Sequence, residues 1–284
     1  MTTLQTVPTS FISVNGLRIA YRRFGASSPL PLVYVNHLRG SMDTLDPLLF
    51  NTIAKSREVI VYDSAGIGHS EGAVPDSVPE MAAVIVNLLA TLEISKADFI
   101  GFSMGGGIVQ HIGYEYPQLV NKLILAGTQP GFGEGVALPP REVLESAGAN
   151  NDQPPTEDEM MSLFFYPSQT SLALGHAWWK RIHERNVEGE SRKEFLTGTG
   201  AQSQLAAIFK FTTDTRNFDR LAEVKAPVLV TNGHTDVMSP TANSFVLQQK
   251  IANAHLHLYP DAGHGHLFQV PELYAKGLEL FLNN

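Results

Sequence analysis

Gly101-Phe102-Ser103-Met104-Gly105 sets a serine between two glycines at a spacing that can expose its hydroxyl as a nucleophile. The spacing is G-x-S-x-G, a sharp strand-to-helix turn. A residue at the tip of such a turn sits at positive φ, and side chains two positions away would collide with the neighbouring strand or helix. The flanks fit that geometry. Lys96-Ala97-Asp98-Phe99-Ile100 ends in an apolar run suited to a buried strand, and Gly106 to Tyr114 reads as a glycine-rich helix start. A serine hydroxyl is almost never ionised near neutral pH. It needs a general base within hydrogen-bond reach, and the base needs an orienting carboxylate.

In the strand-turn-helix setting of such an elbow, the acid and then the histidine follow the serine along the chain. Ala226 to Gly233 reads as a buried strand ending at a glycine, and His234-Thr235-Asp236 come directly after it. Ser239-Pro240 then predicts a helix start, with a good N-cap residue and proline at the first helical position. Asp236 is therefore expected at the carboxyl end of a core strand, on the same edge as Ser103. Ala254 to Tyr259 alternates as a strand does. It runs into Pro260-Asp261-Ala262-Gly263-His264-Gly265-His266, whose glycines let a loop fold sharply and project a histidine.

With these pieces placed, the chain resembles the α/β-hydrolase superfamily over nearly its whole length. Ser103, Asp236 and His264 match that family's nucleophile, acid and base. Asn36-His37-Leu38-Arg39-Gly40, after the strand Leu32 to Val35, matches the oxyanion-loop position, and Asp63 to Ser70 resembles the D-x-x-G-x-G-x-S segment. One departure stands out: the family usually has glycine directly after the oxyanion-loop histidine, and this chain has Leu38. Its N–H is retained, and its side chain is expected to narrow or line the pocket. By the same resemblance His37 and His69 brace loops, and the Gly263-His264 pair matches better than His266. His255 and His257 share one face of a strand. Asp261 lies too near His264 to reach its Nδ1 easily and reads as a turn residue. Some family members carry the acid after the preceding strand, but Ala126-Gly127-Thr128-Gln129 holds no carboxylate.

The elements that must position these residues are legible from periodicity. Asn15-Gly16 joins two short alternating runs as a hairpin. Further strands are predicted near 31–36, 58–63, 97–102, 121–126, 226–231 and 254–259, most separated by helical patterns. One helix opens with a capping box at Ser77-Val78-Pro79-Glu80. The expected fold is α/β: a mostly parallel eight-stranded sheet with helices on both faces. The alternation is interrupted from Thr128 to Lys225, far too long for a loop. A capping box at Thr156 to Glu159 and apolar runs around Phe164, Trp178 and Ile182, then Phe195 to Phe211, predict helices there. This resembles the helical lid of many α/β-hydrolases, giving a core of 1–127 and 226–284 with a lid of 128–225. Pro130 to Pro140 reads as a flexible entry segment. Phe164, Trp178 and Trp179 are the candidate walls of an apolar pocket.

Composition narrows the function classes. The 284 residues are 43% hydrophobic, enough for a large core, and the formal charge of −8 argues against nucleic-acid binding. No apolar run is long enough to span a membrane. Met1 to Pro8 lacks a basic start and an apolar h-region, so a cytoplasmic protein is the default. With no cysteine, disulfides and thiolate metal sites are ruled out. The resulting expectation is a lidded serine hydrolase, needing no cofactor or metal, that cleaves a small, fairly hydrophobic carboxylic ester or lactone. Leu38 and Met104 N–H groups would form its oxyanion hole. Aspartate-nucleophile relatives such as haloalkane dehalogenases and epoxide hydrolases are excluded by Ser103. The string around Ser103 also resembles cofactor-free haloperoxidases and perhydrolases. A carbon–carbon hydrolase or lyase, and a non-enzymatic receptor for a small ligand, fit the same residues. A homo-oligomer is compatible with the sequence.

Overall fold

The computed structural model describes residues 2–148 and 152–284; Met1, and residues 149–151 of the expected lid, lie outside the described residues. Its frame is one eight-stranded sheet in the order β1-β2-β4-β3-β5-β6-β7-β8. The strands are β1 Ser10–Val14, β2 Leu17–Gly25, β3 Leu32–Val35, β4 Glu58–Tyr62, β5 Ala97–Phe102, β6 Val120–Ala126, β7 Val228–Gly233 and β8 Ala254–Tyr259. β1 and β2 pair antiparallel about Asn15 and Gly16, both at positive φ, and β2 runs antiparallel to β4. From β4 to β8 every pairing is parallel. The inner strands β3, β5 and β7 are buried at every position, as strands covered on both faces must be.

Helices α1 Pro47–Ile53, α2 Val78–Thr91 and α3 Met104–Glu115 make the first crossovers. Ser77 caps α2 by accepting the Glu80 N–H, but its hydroxyl donates to the Glu80 carboxylate. The expected reciprocal bond to the Ser77 N–H is therefore replaced by a side-chain pair. The chain order reverses beside β3: one crossover carries it from β3 outward to β4, the next brings it back past β3 to β5. Ligands in open α/β sheets bind at such a switch, beyond the carboxyl ends of the strands. Here Val35 pairs with Gly101, so the 36–40 loop and Ser103 leave the sheet side by side.

Between β6 and β7 lie α4 Arg141–Gly148, α5 Glu157–Phe164, α6 Gln169–Arg181, α7 Gly198–Thr213 and α8 Thr215–Asp219. The Thr156 capping box forms as expected, with both reciprocal bonds. α4 departs from the sequence reading, which assigned no helix there. After β7 come α9 Ala242–Lys250, α10 His266–Gln269 and α11 Pro271–Asn283. α9 begins two residues beyond the expected start. The Ser239 N–H is drawn to the Asp236 carboxylate instead, and Thr241 takes the N-cap position.

Alternation along each strand divides the interior in two. Tyr34, Ile100 and Phe102 face one apolar cluster that also holds Phe164, Trp178, Phe195 and Phe268. Val33, Val35 and Phe99 face the other, with Ile85, Val109 and Phe211. The 128–225 segment thus contributes side chains to both cores. Among the described residues no helix is long and apolar enough to cross a membrane.

Candidate active site

Ser103 sits at φ 56°, ψ −118°, in a backbone region that side chains seldom occupy. The elbow needs both of its glycines. A Cβ on Gly101 would overlap the Gly105 carbonyl oxygen, and one on Gly105 would overlap the Val35 carbonyl oxygen. Backbone bonds hold the strained residue. Its N–H donates to Ala126 O at 2.9 Å, and its carbonyl accepts from Gly106 N at 2.9 Å and Thr128 Oγ1 at 2.8 Å. The hydroxyl is thus carried at the head of α3 rather than on a mobile loop.

His264 is 1% exposed, with its ring centroid 4.8 Å from Phe102 and 5.2 Å from Phe164. Its Nδ1 lies 2.8 Å from Asp236 Oδ2. A carboxylate only accepts, so this bond puts the proton on Nδ1 and leaves the Nε2 lone pair available as a base. Nε2 has no hydrogen-bond partner among the described residues, and His264 and Ser103 line one cavity. The Ser103–His264 bond is therefore open here. Such bonds commonly tighten only with substrate bound. Asp236 is buried, and its other oxygen accepts Met238 N–H and Ser239 N–H, each at 2.8 Å.

The competing residues fall elsewhere. Asp261 is exposed at φ 51°, and its carboxylate accepts the Ser168 hydroxyl at 2.9 Å. His234 is exposed and bonded to Thr235 Oγ1. His266 is fully buried, bridging His264 O and Thr231 Oγ1 at 3.0 Å each. His37 bonds its own loop at Leu38 O, 2.8 Å, among Phe102, Phe164 and Phe195. Burial pushes the imidazole of His266 down to about 3 and that of His37 to about 4. Both stay neutral in the fold at ordinary pH, while the unfolded chain protonates them near 6.5. Their contribution to stability is therefore present above that value and lost as pH falls toward the folded values. His266→Asn should remove about 1 kcal/mol of the stability lost between pH 6 and pH 5. Urea midpoints of both proteins at the two pH values check it; parallel slopes would contradict the buried neutral imidazole.

The oxyanion loop leaves one N–H uncommitted. The N–H of His37 goes to Asn36 Oδ1 at 2.9 Å, that of Arg39 to Gln204 Oε1 at 2.7 Å and that of Gly40 to His37 O at 3.2 Å. No bond from Leu38 N–H or Met104 N–H occurs among the described residues. Met104 is the first residue of α3, where N–H groups lack intrahelical partners and the helix dipole favours negative charge. Arg39, at φ 67°, ties this loop to the insertion. Its Nε donates to Leu196 O at 2.7 Å, its Nη2 to Gln153 O, and its carbonyl accepts Leu196 N–H at 2.8 Å.

Phe164 lines the cavity, and Leu38 does as well. Trp178 and Trp179 do not, which corrects the expectation for both. Trp178 is fully buried behind Phe164, stacked between it and Phe268, and Trp179 stacks on Phe195. Residues not expected in the pocket line it instead: Arg39, Glu159, Phe195 and Met238. Only the closeness of Arg39 and Met238 to Leu38 and Asp236 in the chain could have signalled them.

An open, mostly parallel sheet with a serine elbow at its switch point, opposed by a carboxylate-held histidine, defines the α/β-hydrolase class. The family model described as alpha/beta hydrolase fold matches residues 32–269, and the chain belongs to that family. A solved structure, an alpha/beta hydrolase fold protein from Chitinophaga pinensis, is 33% identical with a TM-score of 0.90, covering all of both chains. A 2-hydroxy-6-oxo-6-phenylhexa-2,4-dienoate hydrolase of Comamonas testosteroni is 31% identical, over 72% of this chain and 70% of that one. A 2-hydroxymuconate semialdehyde hydrolase of Pseudomonas sp. (strain CF600) is 27% identical, over 88% and 84%.

Proposed function

We propose that this protein is a serine hydrolase cleaving a small, fairly hydrophobic carboxylic ester or lactone through an acyl-enzyme. The observation that carries the reading is Ser103, strained at the elbow, sharing one cavity with the free Nε2 of a histidine held by buried Asp236. Ser103 Oγ attacks the carbonyl carbon while His264 Nε2 takes its proton. Asp236 holds the tautomer and stabilises the imidazolium. Leu38 and Met104 N–H groups receive the oxyanion, each worth roughly 3–4 kcal/mol in comparable sites. The imidazolium protonates the leaving oxygen, and water then cleaves the acyl-enzyme by the same steps. The 128–225 insertion acts as a lid, with Phe164 as a wall over His264.

A second reading is supported by the two relatives named for hydrolysis of dienoate and semialdehyde substrates. On the same residues, water would cleave a carbon–carbon bond beside a ketone. A panel of p-nitrophenyl esters and lactones, run beside 2-hydroxy-6-oxo-6-phenylhexa-2,4-dienoate, separates the two. The ester reading expects the highest kcat/KM on a compact uncharged ester. A best substrate carrying a carboxylate overturns it. Peroxide-dependent halide oxidation in acetate buffer would mark perhydrolase chemistry, and tight binding without turnover a receptor. Leu38 lines the space around Ser103, so Leu38→Gly should raise kcat/KM for branched over unbranched acyl groups by about tenfold. An unaltered acyl profile would place the leucine away from substrate.

A further inference from the structure

Ser103 opens into two chambers, not one. The first is the one it shares with His264; the second lies between α4 and α7. Their linings have only Leu38, Ser103 and Met238 in common, so the two chambers meet at these residues. His264 lines only the first chamber and Met104 only the second.

The chemistry of acyl transfer gives each chamber a different duty. In the first step the Ser103 Oγ–carbon bond forms and the carbon–oxygen bond to the leaving group breaks. The serine proton passes through His264 Nε2 to the departing oxygen, which leaves as a neutral hydroxyl compound. That oxygen must reach the imidazole, whereas the acyl group stays on Ser103 until water releases it.

Resting on the serine-hydrolase reading above, we propose that the His264 chamber receives the leaving group and the Met104 chamber the acyl group. The walls then state the substrate class. Val78, Leu144, Leu205, Ile208 and Phe211 line the second chamber, which accepts an apolar acyl chain. Leu144 is 55% exposed, so the chamber extends to the surface of the insertion along α4. The first chamber sets Phe164 and Phe195 against Arg39 and Glu159. Opposite charges on one wall disfavour a charged ligand and suit a neutral one with hydrogen-bonding ends. The substrate is an ester of an apolar acid with an alcohol, phenol or enol that carries a second hydrogen-bonding group.

The test is a matrix of esters, acetyl to octanoyl on one axis and aryl alcohols with and without a second hydroxyl on the other. Ile208→Trp fills the acyl chamber, with Leu144→Trp at its exposed end as the variant least able to disturb folding. Leu163→Trp fills the leaving-group chamber, with exposed Ser146→Trp as its counterpart. The acyl-chamber variants should lower kcat/KM for octanoyl relative to acetyl esters by at least about tenfold, whatever the alcohol. The other pair should change the ranking of alcohols. The deacylation rate of each variant, read after the burst of released alcohol, should not depend on which alcohol was released, because the alcohol has already left. The reverse pattern, or variants of both chambers responding alike, overturns the assignment while leaving the hydrolase reading intact. No turnover of any ester by the unsubstituted protein overturns both.

Discussion

Ser103→Ala should abolish labelling by a fluorophosphonate probe and lower turnover by about six orders of magnitude. The size follows from the site. On the proposed mechanism the hydroxyl is the nucleophile, and the remaining parts of the site hold the carbonyl without attacking it. Stability should move by no more than about 1 kcal/mol, since alanine removes one oxygen and keeps the Cβ that the turn already accommodates. The backbone bonds of residue 103 to Ala126, Gly106 and Thr128 do not involve the hydroxyl. Intact-protein mass after probe treatment, with a thermal melt of the same sample, reads both quantities. Equal labelling of the variant would remove Ser103 from the mechanism.

Asp236→Asn has the next largest expected effect, a fall in turnover of about four orders of magnitude with the fold intact. The hydrogen bonds explain why the loss is so large. One carboxylate oxygen accepts two backbone N–H groups, from Met238 and Ser239, and the other faces His264 Nδ1. An asparagine must keep its oxygen toward those two donors, which turns its NH₂ toward the imidazole. Nδ1 then has to accept, the proton moves to Nε2, and the histidine can no longer act as base toward Ser103. Asp261→Asn serves as the control, with less than about a threefold effect, because that exposed carboxylate bonds the Ser168 hydroxyl instead. A severe loss in Asp261→Asn beside a mild one in Asp236→Asn would reverse the assignment.

Both predictions rest on residues legible before any coordinates. The elbow announces itself because its requirement is local: positive φ at the tip and no Cβ at either flank. Each of the six strands after the hairpin lies within two residues of its expected bounds for a similar reason, since buried parallel strands are short apolar runs between turn residues. The segments around Asp236 and His264 were readable because each follows such a strand.

What lay beyond the sequence was which surfaces meet. The spacing of Trp178 and Trp179 on α6 says that a face is buried, but not against what. Only the folded chain shows Trp178 sealed between Phe164 and Phe268 instead of facing Ser103. Resemblance and chain distance favoured Asp236 over Asp261, but only the folded chain brings its carboxylate to within 2.8 Å of a ring 28 residues away. The same holds for Arg39 and Gln204, 165 residues apart, whose bond ties the oxyanion loop to the insertion. The meeting of two chambers at Leu38 and Met238 is of this kind too. Backbone sterics and hydrophobic period act within a few residues, so the sheet, the elbow and the candidate chemistry can be read along the chain. The pocket walls, the ties to the insertion and the two chambers depend on side chains brought together from distant parts of the chain, and only folding sets them.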